Sequence, residues 1–308
     1  MSGRQILAGA AVVGTFLALG FAPALGTDYT TSLLITLLMY GVLATAWGLF
    51  SGTTGYISLA SVAFFGVGSY TVAVLGEHLP WPLVLLAAAG IGAILSLLIG
   101  LVTLRLSGTY FAIFTFGVTE LLRQLVIWYE TTITGTLGRF VFVDAAAPAF
   151  IYGQLLVLFA LVLSLGWWLS RSRLGFAMRL IGEDEQAARH CGINTTRVKL
   201  IAFTGTSVFM VLAGAIVAPR WIYIDPTIAF NTIVSFQVVI MALLGGTARF
   251  WGPVLGVIPL VLLFETLMVY FPNHFLIVLG VVFMFIVYAL PHGVLGLVLK
   301  LARKPGST

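Results

Sequence analysis

Charged side chains are scarce in this chain of 308 residues, of which 15 are basic and 10 are acidic. They make up 8% of the residues, whereas an average soluble domain carries about 25%. Hydrophobic residues make up 60% of the chain, and the mean hydropathy is +1.12. So few charges cannot cover a water-soluble particle of this length, which excludes a soluble globular fold. The chain is predicted to lie mostly in lipid.

Cysteine and lysine are also rare. The single cysteine, Cys191, excludes an internal disulfide and any cysteine-rich metal site. None of the lysines, Lys199, Lys300 and Lys304, follows a glycine as the lysine of an ATP-binding P-loop does. The histidines lack metal-ligand spacing, and no Ser, His and acid set with a glycine-flanked nucleophile is present. The sequence therefore predicts no catalytic residues, no metal site and no cofactor in this chain.

Long apolar runs dominate what is present. A helix that spans the bilayer needs about 20 apolar residues, and about ten segments meet or approach that length. They run roughly from Ile6 to Leu25, Ser32 to Phe50, Ile57 to Leu75, Pro82 to Leu104, Gly108 to Trp128, Ala149 to Ser170, Leu200 to Ala218, Ile233 to Gly245, Pro253 to Phe271 and Phe275 to Leu299. We expect an all-α integral membrane protein, in which residues 1–308 form one polytopic domain.

Basic residues set the expected orientation. With a cytoplasmic N-terminus, only Arg139 and Arg220 fall clearly outside. The residues that fall inside are Arg4, Arg105, Arg171, Arg173, Arg179, Arg189, Arg197, Lys199, Arg249, Lys300, Arg303 and Lys304. Both termini are therefore expected in the cytoplasm. The first segment could instead be a cleaved secretory signal, because Ala22-Pro23-Ala24 resembles a cleavage site.

Two groups of segments begin on opposite sides of the membrane. The second to fifth segments start outside, and the seventh to tenth start inside, so any repeat that relates them is inverted. Inverted repeats are common in transporters and place the substrate path between the two halves.

The longest inside loop, residues 171–199, concentrates charge and is predicted to contain a helix. Acidic residues suit its positive N-terminal end, basic residues suit its C-terminal end, and a glycine suits the cap. These residues are Glu183, Asp184, Glu185, Arg189, His190 and Gly192. Ala187 and Ala188 offer little apolar area for docking onto the membrane domain. The helix is either a solvated loop helix or a docking element for a cytoplasmic partner.

Glycine-rich motifs follow the second segment. The first is Gly52-x-x-Gly55-x-x-Ser58-Leu59, and the next, Ala63 to Thr71, contains Gly66 and Gly68. Glycines at this density permit close approach between helices. Further motifs are Tyr110-Phe111-Ala112, Glu120-x-x-Arg123, the stretch from Gly182 to Lys199, Tyr223 to Pro226, Gly245-Gly246, and Trp251-Gly252-Pro253-Val254-Leu255-Gly256. In this order they resemble ABC importer permeases of the branched-chain amino-acid class, the LivM type.

This resemblance implies a type II ABC importer-like fold and a permease for branched-chain amino acids or a similar small polar solute, with urea and amide permeases among the relatives. The implied partners are a related permease chain, two cytoplasmic ATPase subunits that hold ATP and Mg, and an extracytoplasmic solute-binding protein. The implied location is a bacterial or archaeal plasma (inner) membrane. The implied ATPase-coupling residues are Glu183, Asp184, Glu185, Ala187, Ala188, Arg189 and Gly192.

Polar residues inside the apolar segments are candidates for the translocation path. They are Ser58, Ser61, Thr71, Thr115, Thr119, Glu120 and Glu265. Hydroxyls in membrane helices also bond to their own backbone, and Glu120 can pair with Arg123 on the same helix. An ion-coupled secondary transporter or channel that uses Glu120 and Glu265 remains the alternative to an ATP-driven importer.

Overall fold

The computed structural model describes residues 27–106, 108–141, 147–247 and 249–289. The first predicted segment, the candidate cleavage site, Ala248 and the basic residues near both termini lie outside the described residues. The helices are α1 (Asp28–Thr54), α2 (Ser61–Leu75), α3 (Trp81–Thr103), α4 (Thr109–Tyr129), α5 (Pro148–Arg171), α6 (Arg173–Glu183), α7 (Glu185–His190), α8 (Thr195–Val217), α9 (Pro226–Ala229), α10 (Thr232–Gly245), α11 (Gly252–Tyr270) and α12 (Phe275–Ala289).

The prediction of an all-helical membrane protein is confirmed. Seven helices in the described part of the chain are long and apolar enough to cross a membrane. Two shorter apolar helices, Ser61–Leu75 and Pro272–Ile286, accompany them. The second to tenth predicted segments coincide with these helices as far as the structure describes them.

Two helices do not begin where their apolar runs begin. Helix α2 begins at Ser61 rather than Ile57, because Gly55 ends α1 with φ 74° and the chain stays non-helical until Ala60. The apolar run of the next segment begins at Leu200, but Asn194, Thr195 and Thr196 are suited to start a helix earlier. Helix α8 begins at Thr195, and the Asn194 side chain caps it by accepting a hydrogen bond from the Arg197 amide. Helix α2 has no side-chain cap, and its late start follows from the non-helical segment after Gly55.

The two predicted halves exchange their first helices. Helix α8 packs against α2 and α3 of the first half, while α1 packs against α10 and α11 of the second half. Helices α1 and α8 also pack against each other. Each half therefore packs its first helix against the other half, and this exchange places buried contacts between the halves.

Small residues allow the crossing between α2 and α8. A Cβ atom added to Gly68 would overlap the backbone of Val211, and one added to Gly214 would overlap the backbone of Phe65. The Ser69 hydroxyl donates a hydrogen bond of 3.0 Å to the Gly214 carbonyl at the same crossing. The helices therefore meet backbone to backbone, as small residues permit in membrane proteins.

The two ends of the bundle differ in structure. At one end, a two-stranded antiparallel ribbon pairs β1 (Arg139–Phe140) with β2 (Tyr223–Ile224), and we call this the ribbon end. The other end carries α6 and α7 and the basic loop 171–199, and we call it the basic end. Helix α1 reaches the basic end at its C-terminus and α8 begins there, so the two helices are antiparallel.

Candidate functional site

A buried polar cluster joins four separate elements at the basic end. The Lys199 ammonium donates hydrogen bonds to Glu185 Oε1 at 2.9 Å, to the Tyr56 hydroxyl at 3.0 Å and to the Leu104 carbonyl at 3.2 Å. Tyr56 in turn donates a hydrogen bond to Glu185 Oε2. We call Tyr56, Leu104, Glu185 and Lys199 the base cluster. It links α7, α8, the end of α3 and the segment that precedes α2.

Glu185 is held as a carboxylate by this environment. Its burial raises the pKa, but hydrogen bonds from Tyr56, Lys199 and Arg189 outweigh burial and lower the pKa from 4.5 to about 2. Thr195 adds a further hydrogen bond of 3.0 Å to Glu185 Oε1. Burial, followed by the hydrogen bond to Glu185, raises the pKa of Tyr56 well above 10.0, so its hydroxyl stays a donor.

The predicted helix of the basic loop is two helices. Helix α6 ends at Glu183, and α7 covers only Glu185–His190. Between them the extended Asp184 caps α7 by accepting hydrogen bonds from the Gln186 and Ala187 amides at 2.8 and 3.1 Å. Gly192 adopts φ 82° directly after α7, the backbone region in which glycine is least strained.

Helix α7 itself buries only Ala188, and the apolar contact of this loop comes mostly from α6. Met178, Ile181 and Ala188 are all buried against the membrane domain. Gly182 lies so close to Thr53 at the end of α1 that a Cβ atom would overlap the Thr53 carbonyl. The apolar face was missed because most of it lies on α6, ahead of the helix that the charges predicted.

A cavity of about 610 Å³ opens at the basic end. Its walls include Gly52 of α1, Arg179 and Glu183 of α6, and Arg249 and Trp251 of the turn before α11. The Arg249 guanidinium lies 5.6 Å from the centre of the Trp251 ring. Helix α6 is therefore packed against α1 on one side and borders open space on another.

The candidate path residues Ser58, Ser61 and Thr71 are all buried in the protein. Ser58 is buried; its carbonyl accepts the Trp47 indole N–H at 2.7 Å, and its hydroxyl accepts the Ala60 amide at 3.3 Å. Ser61 is also buried, and its hydroxyl has no hydrogen-bond partner among the described residues. Thr71 donates to the Val67 carbonyl at 2.8 Å, within its own helix.

The two threonine candidates of α4 hold the segment before α2. Thr115 accepts a hydrogen bond from the Leu59 amide at 3.0 Å, and Thr119 donates to the Leu59 carbonyl at 3.3 Å. Both threonines are buried. Their hydroxyls therefore satisfy a non-helical backbone segment, which a search for path residues did not foresee.

Glu120 and Arg123 form the predicted pair on α4. The Arg123 guanidinium donates to both carboxylate oxygens of Glu120, at 2.5 and 3.0 Å, and Gln124 adds a third hydrogen bond at 3.0 Å. The two charged side chains remain 40% and 29% exposed, respectively. Glu265 is half-buried on α11, and no hydrogen bond or ion pair reaches it from the described part of the chain.

A second buried carboxylate lies at the ribbon end and was not predicted. Glu130, only 1% exposed, accepts hydrogen bonds from the Gly138 amide at 2.8 Å, from Arg139 at 3.3 Å and from the Tyr70 hydroxyl at 3.4 Å. Arg139 was interpreted only as a marker of orientation. Its position nine residues after Glu130 could have indicated the pair, because an acid at the end of an apolar run needs a partner.

Several glycines of the sequence motifs lie where another part of the chain leaves no room for a larger side chain. A Cβ atom added to Gly66 would meet the Phe230 ring at 2.6 Å, and one added to Gly52 would meet Thr247 at 2.5 Å. Gly245 and Gly252 touch each other across the turn between α10 and α11, and Gly246 adopts φ 90° there. No group of three histidine, cysteine or acidic side chains that could hold a metal lies within the described residues.

Comparison with known proteins identifies the family. A family model described as branched-chain amino acid transport system / permease component matches residues 29–287. The chain is 29% identical over 292 residues to the high-affinity branched-chain amino acid transport system permease protein LivM of Salmonella typhimurium strain LT2, across 84% of this chain and 68% of that protein. LivM of Escherichia coli K12 is 29% identical over 297 residues, with the same coverage.

A shorter similarity points to a related permease. Over 104 residues the chain is 29% identical to the autoinducer 2 import system permease protein LsrC of Photorhabdus laumondii, across 32% of this chain and 31% of that protein. No solved structure matches the chain. Because the family model covers most of the sequence and the described helices are long and apolar enough to span a membrane several times, the chain belongs to the permease components of branched-chain amino acid transport systems.

Proposed function

We propose that this chain is the membrane subunit of an ATP-binding-cassette importer that moves branched-chain amino acids or a similar small polar solute into the cytoplasm. Its family and the names of its LivM relatives support this cargo. The sequence contains no P-loop lysine, so ATP and Mg are expected on separate ATPase subunits. The excess of basic residues at the basic end supports a cytoplasmic position for that end and for both termini.

The main support for this proposal is the way in which α6 and α7 are anchored to the membrane domain. The base cluster and the buried face of α6 fix the two helices to the membrane domain, while Phe176, Ala187 and His190 remain exposed on them. A helix pair that is anchored on one side and open on the other can receive force from a partner and pass it on. We therefore assign Glu183 to Gly192 as the contact for an ATPase subunit.

The exposed face of α4 that carries Glu120 and Arg123 supports a translocation path beside this helix. Glu120 and Arg123 lie within a membrane-spanning helix, and carrying exposed charge into hydrocarbon is costly. This face is therefore expected to meet water or another protein, and a related permease chain would supply the facing wall. Of the candidate path residues, Glu120 is the one whose exposure favours contact with solute.

The exchanged halves support alternating access as the transport mechanism. Because α1 packs on the second half and α8 on the first, a tilt of one half moves the crossing helices of both. Closure of the ATPase subunits on α7 would drive that tilt between outward-facing and inward-facing states. An extracytoplasmic solute-binding protein would deliver cargo at the ribbon end.

The test is assembly and uptake with Ala187→Glu. A new carboxylate on the exposed side of α7 should weaken retention of the ATPase subunits about tenfold, equivalent to about 1.4 kcal/mol. Arg105→Glu, which changes the charge of an exposed residue at the same end, is the control and should retain the ATPase subunits. ATP-dependent uptake should fall only in Ala187→Glu. Solute movement by the chain alone, in liposomes under an ion gradient, would instead establish an ion-coupled transporter.

A further inference from the structure

The Lys199 ammonium donates three hydrogen bonds, each to a different acceptor. An ammonium carries three donors, and the three acceptors here come from α7, from the end of α3 and from the segment before α2. Its side chain is 2% exposed, and the ammonium also lies 4.3 Å from the centre of the Tyr56 ring. A buried charge with every donor used fixes all of its partners, since the loss of any one leaves a desolvated group unpaired.

The segment before α2 extends this connection into the membrane domain. Residues 56–60 are non-helical, and their backbone is held by side chains of α1 and α4. The Ser58 carbonyl binds Trp47 on α1, and both backbone groups of Leu59 bind threonines on α4. A displacement of Tyr56 therefore reaches α2 directly and α4 through two hydrogen bonds. Helix α4 is the helix that carries Glu120.

Arg189 also forms an ion pair with the Glu185 carboxylate, but both residues of this pair lie on α7. It binds Glu185 at 2.6 Å, a shorter distance than that of Lys199. Its side chain is 61% exposed and lies one turn away on the same short helix. Such a pair contributes little and connects α7 only to itself and to Thr195.

We infer that Tyr56 and Lys199 are positioning residues that transmit the movement of α7 to α2 and α4. This inference rests on the proposed function, because it assumes that an ATPase subunit moves α7. The two side chains make α7, the start of α8 and the segment before α2 one rigid unit. Without them, α7 stays bonded to Thr195 at the start of α8 but loses its connection to the segment before α2. ATP hydrolysis then no longer drives α2 and α4.

The experiment measures movement of the chain beside Tyr56, and it does not require the transported solute to be known. Ile57 is 47% exposed, so Ile57→Cys in a Cys191→Ser background gives one reactive thiol next to the base cluster. The full assembly is treated with N-ethylmaleimide, with and without ATP plus vanadate, and the modification is measured on this chain by mass spectrometry. Lys199→Met and Tyr56→Phe test the inference, and Arg197→Gln, which removes an exposed positive charge two residues before Lys199 and outside the proposed ATPase contact, is the matched control.

We expect the alkylation rate to change about tenfold between the two nucleotide conditions when the cluster is intact, within the range typical of coupled sites. Lys199→Met and Tyr56→Phe should remove most of that change while ATP hydrolysis continues, and solute uptake per ATP should fall in parallel. Arg197→Gln should retain it. A merely structural role would lower hydrolysis and assembly together.

Two results would overturn the inference: nucleotide-dependent alkylation that survives in Tyr56→Phe and Lys199→Met, or an intact assembly that hydrolyses ATP with no change at position 57. If Lys199→Met fails to assemble, Tyr56→Phe decides, because it retains the ring over Lys199 and removes only the hydroxyl. An unmodified chain that retains no ATPase subunit refutes the proposed function instead, which separates the two failures.

Discussion

Each end of the molecule has one glutamate that accepts a hydrogen bond from a tyrosine of the first half, but Glu130 is buried whereas the Glu185 side chain is 17% exposed. The two glutamates are also held in different ways. At the ribbon end, Glu130 binds Gly138 and Arg139, which follow within nine residues, and Tyr70 is its only distant partner among the described residues. At the basic end, Glu185 binds Tyr56 and Lys199 on other elements as well as Arg189 nearby. The first arrangement stabilises a turn, and the second joins helices.

The largest expected effect comes from removing the cation at the basic end. Lys199→Met removes the buried ammonium that donates to Glu185, to the Tyr56 hydroxyl and to the Leu104 carbonyl. Breaking a buried ion pair on one side costs about 3 kcal/mol or more, so thermal unfolding in detergent should occur at a clearly lower temperature. Arg139→Gln at the ribbon end, whose arginine is 28% exposed, should cost less. Equal losses would contradict the comparison.

The tyrosines that donate to the two glutamates, Tyr56 and Tyr70, test the difference between the two ends further. Tyr56→Phe removes a hydrogen bond to a carboxylate and one from an ammonium, and is expected to cost about 2 kcal/mol, since hydrogen bonds to charged groups contribute about 1.5–3 kcal/mol. Tyr70→Phe removes a long hydrogen bond of 3.4 Å and is expected to cost about 1 kcal/mol or less. The free energies of unfolding of both variants, measured under one condition, check this order. A larger loss in Tyr70→Phe would reverse it.

Acid should weaken the basic end over a defined range. The folded pKa of Glu185 is about 2, below its ordinary value of 4.5, so its contribution to stability is complete above pH 4.5 and is lost as the pH falls towards 2. Unfolding temperatures measured from pH 6 to pH 2, with Glu185→Gln beside the unmodified chain, test this. The difference between the two proteins should shrink as the pH falls through this range. A constant difference would show that the charge of Glu185 does not stabilise the fold.

The smallest effect is expected from Arg189→Gln. Its ion pair with Glu185 is short but 61% exposed on the arginine side, and exposed pairs contribute about 0.2–1 kcal/mol. The unfolding temperature should stay close to that of the unmodified chain. A loss as large as that of Lys199→Met would show that distance, rather than burial, determines the strength of these pairs.

Much of the fold could be predicted from apolar runs alone. The described helices lie where those runs lie, and the charges around Asp184 and the glycine at position 192 correctly indicated the two ends of α7. Helix α2 starts later than its apolar run because the chain turns at Gly55 and stays non-helical to Ala60, which hydropathy does not show. Helix α6 was missed because its buried residues lie among arginines in a stretch of 11 residues, too short and too polar to stand out as an apolar run.

The site was harder to predict than the fold. Tyr56 lies 129 residues from Glu185 and 143 residues from Lys199, and only the packing of α1 against α8 brings them together. The threonines of α4 were expected along a path, but their hydroxyls bind the backbone of Leu59. A single sequence shows which residues are polar, but it does not show which distant groups they satisfy.

The exchange of first helices has a consequence for biosynthesis. Helix α1 leaves the ribosome early, whereas its partners α10 and α11 are made about 180 residues later, which gives the fold many contacts between distant parts of the chain. During translation α1 must therefore wait in the lipid with its glycines facing acyl chains. A chaperone or insertase that shelters this helix would speed maturation, and a chain truncated after α8 should be a ready substrate for membrane proteases.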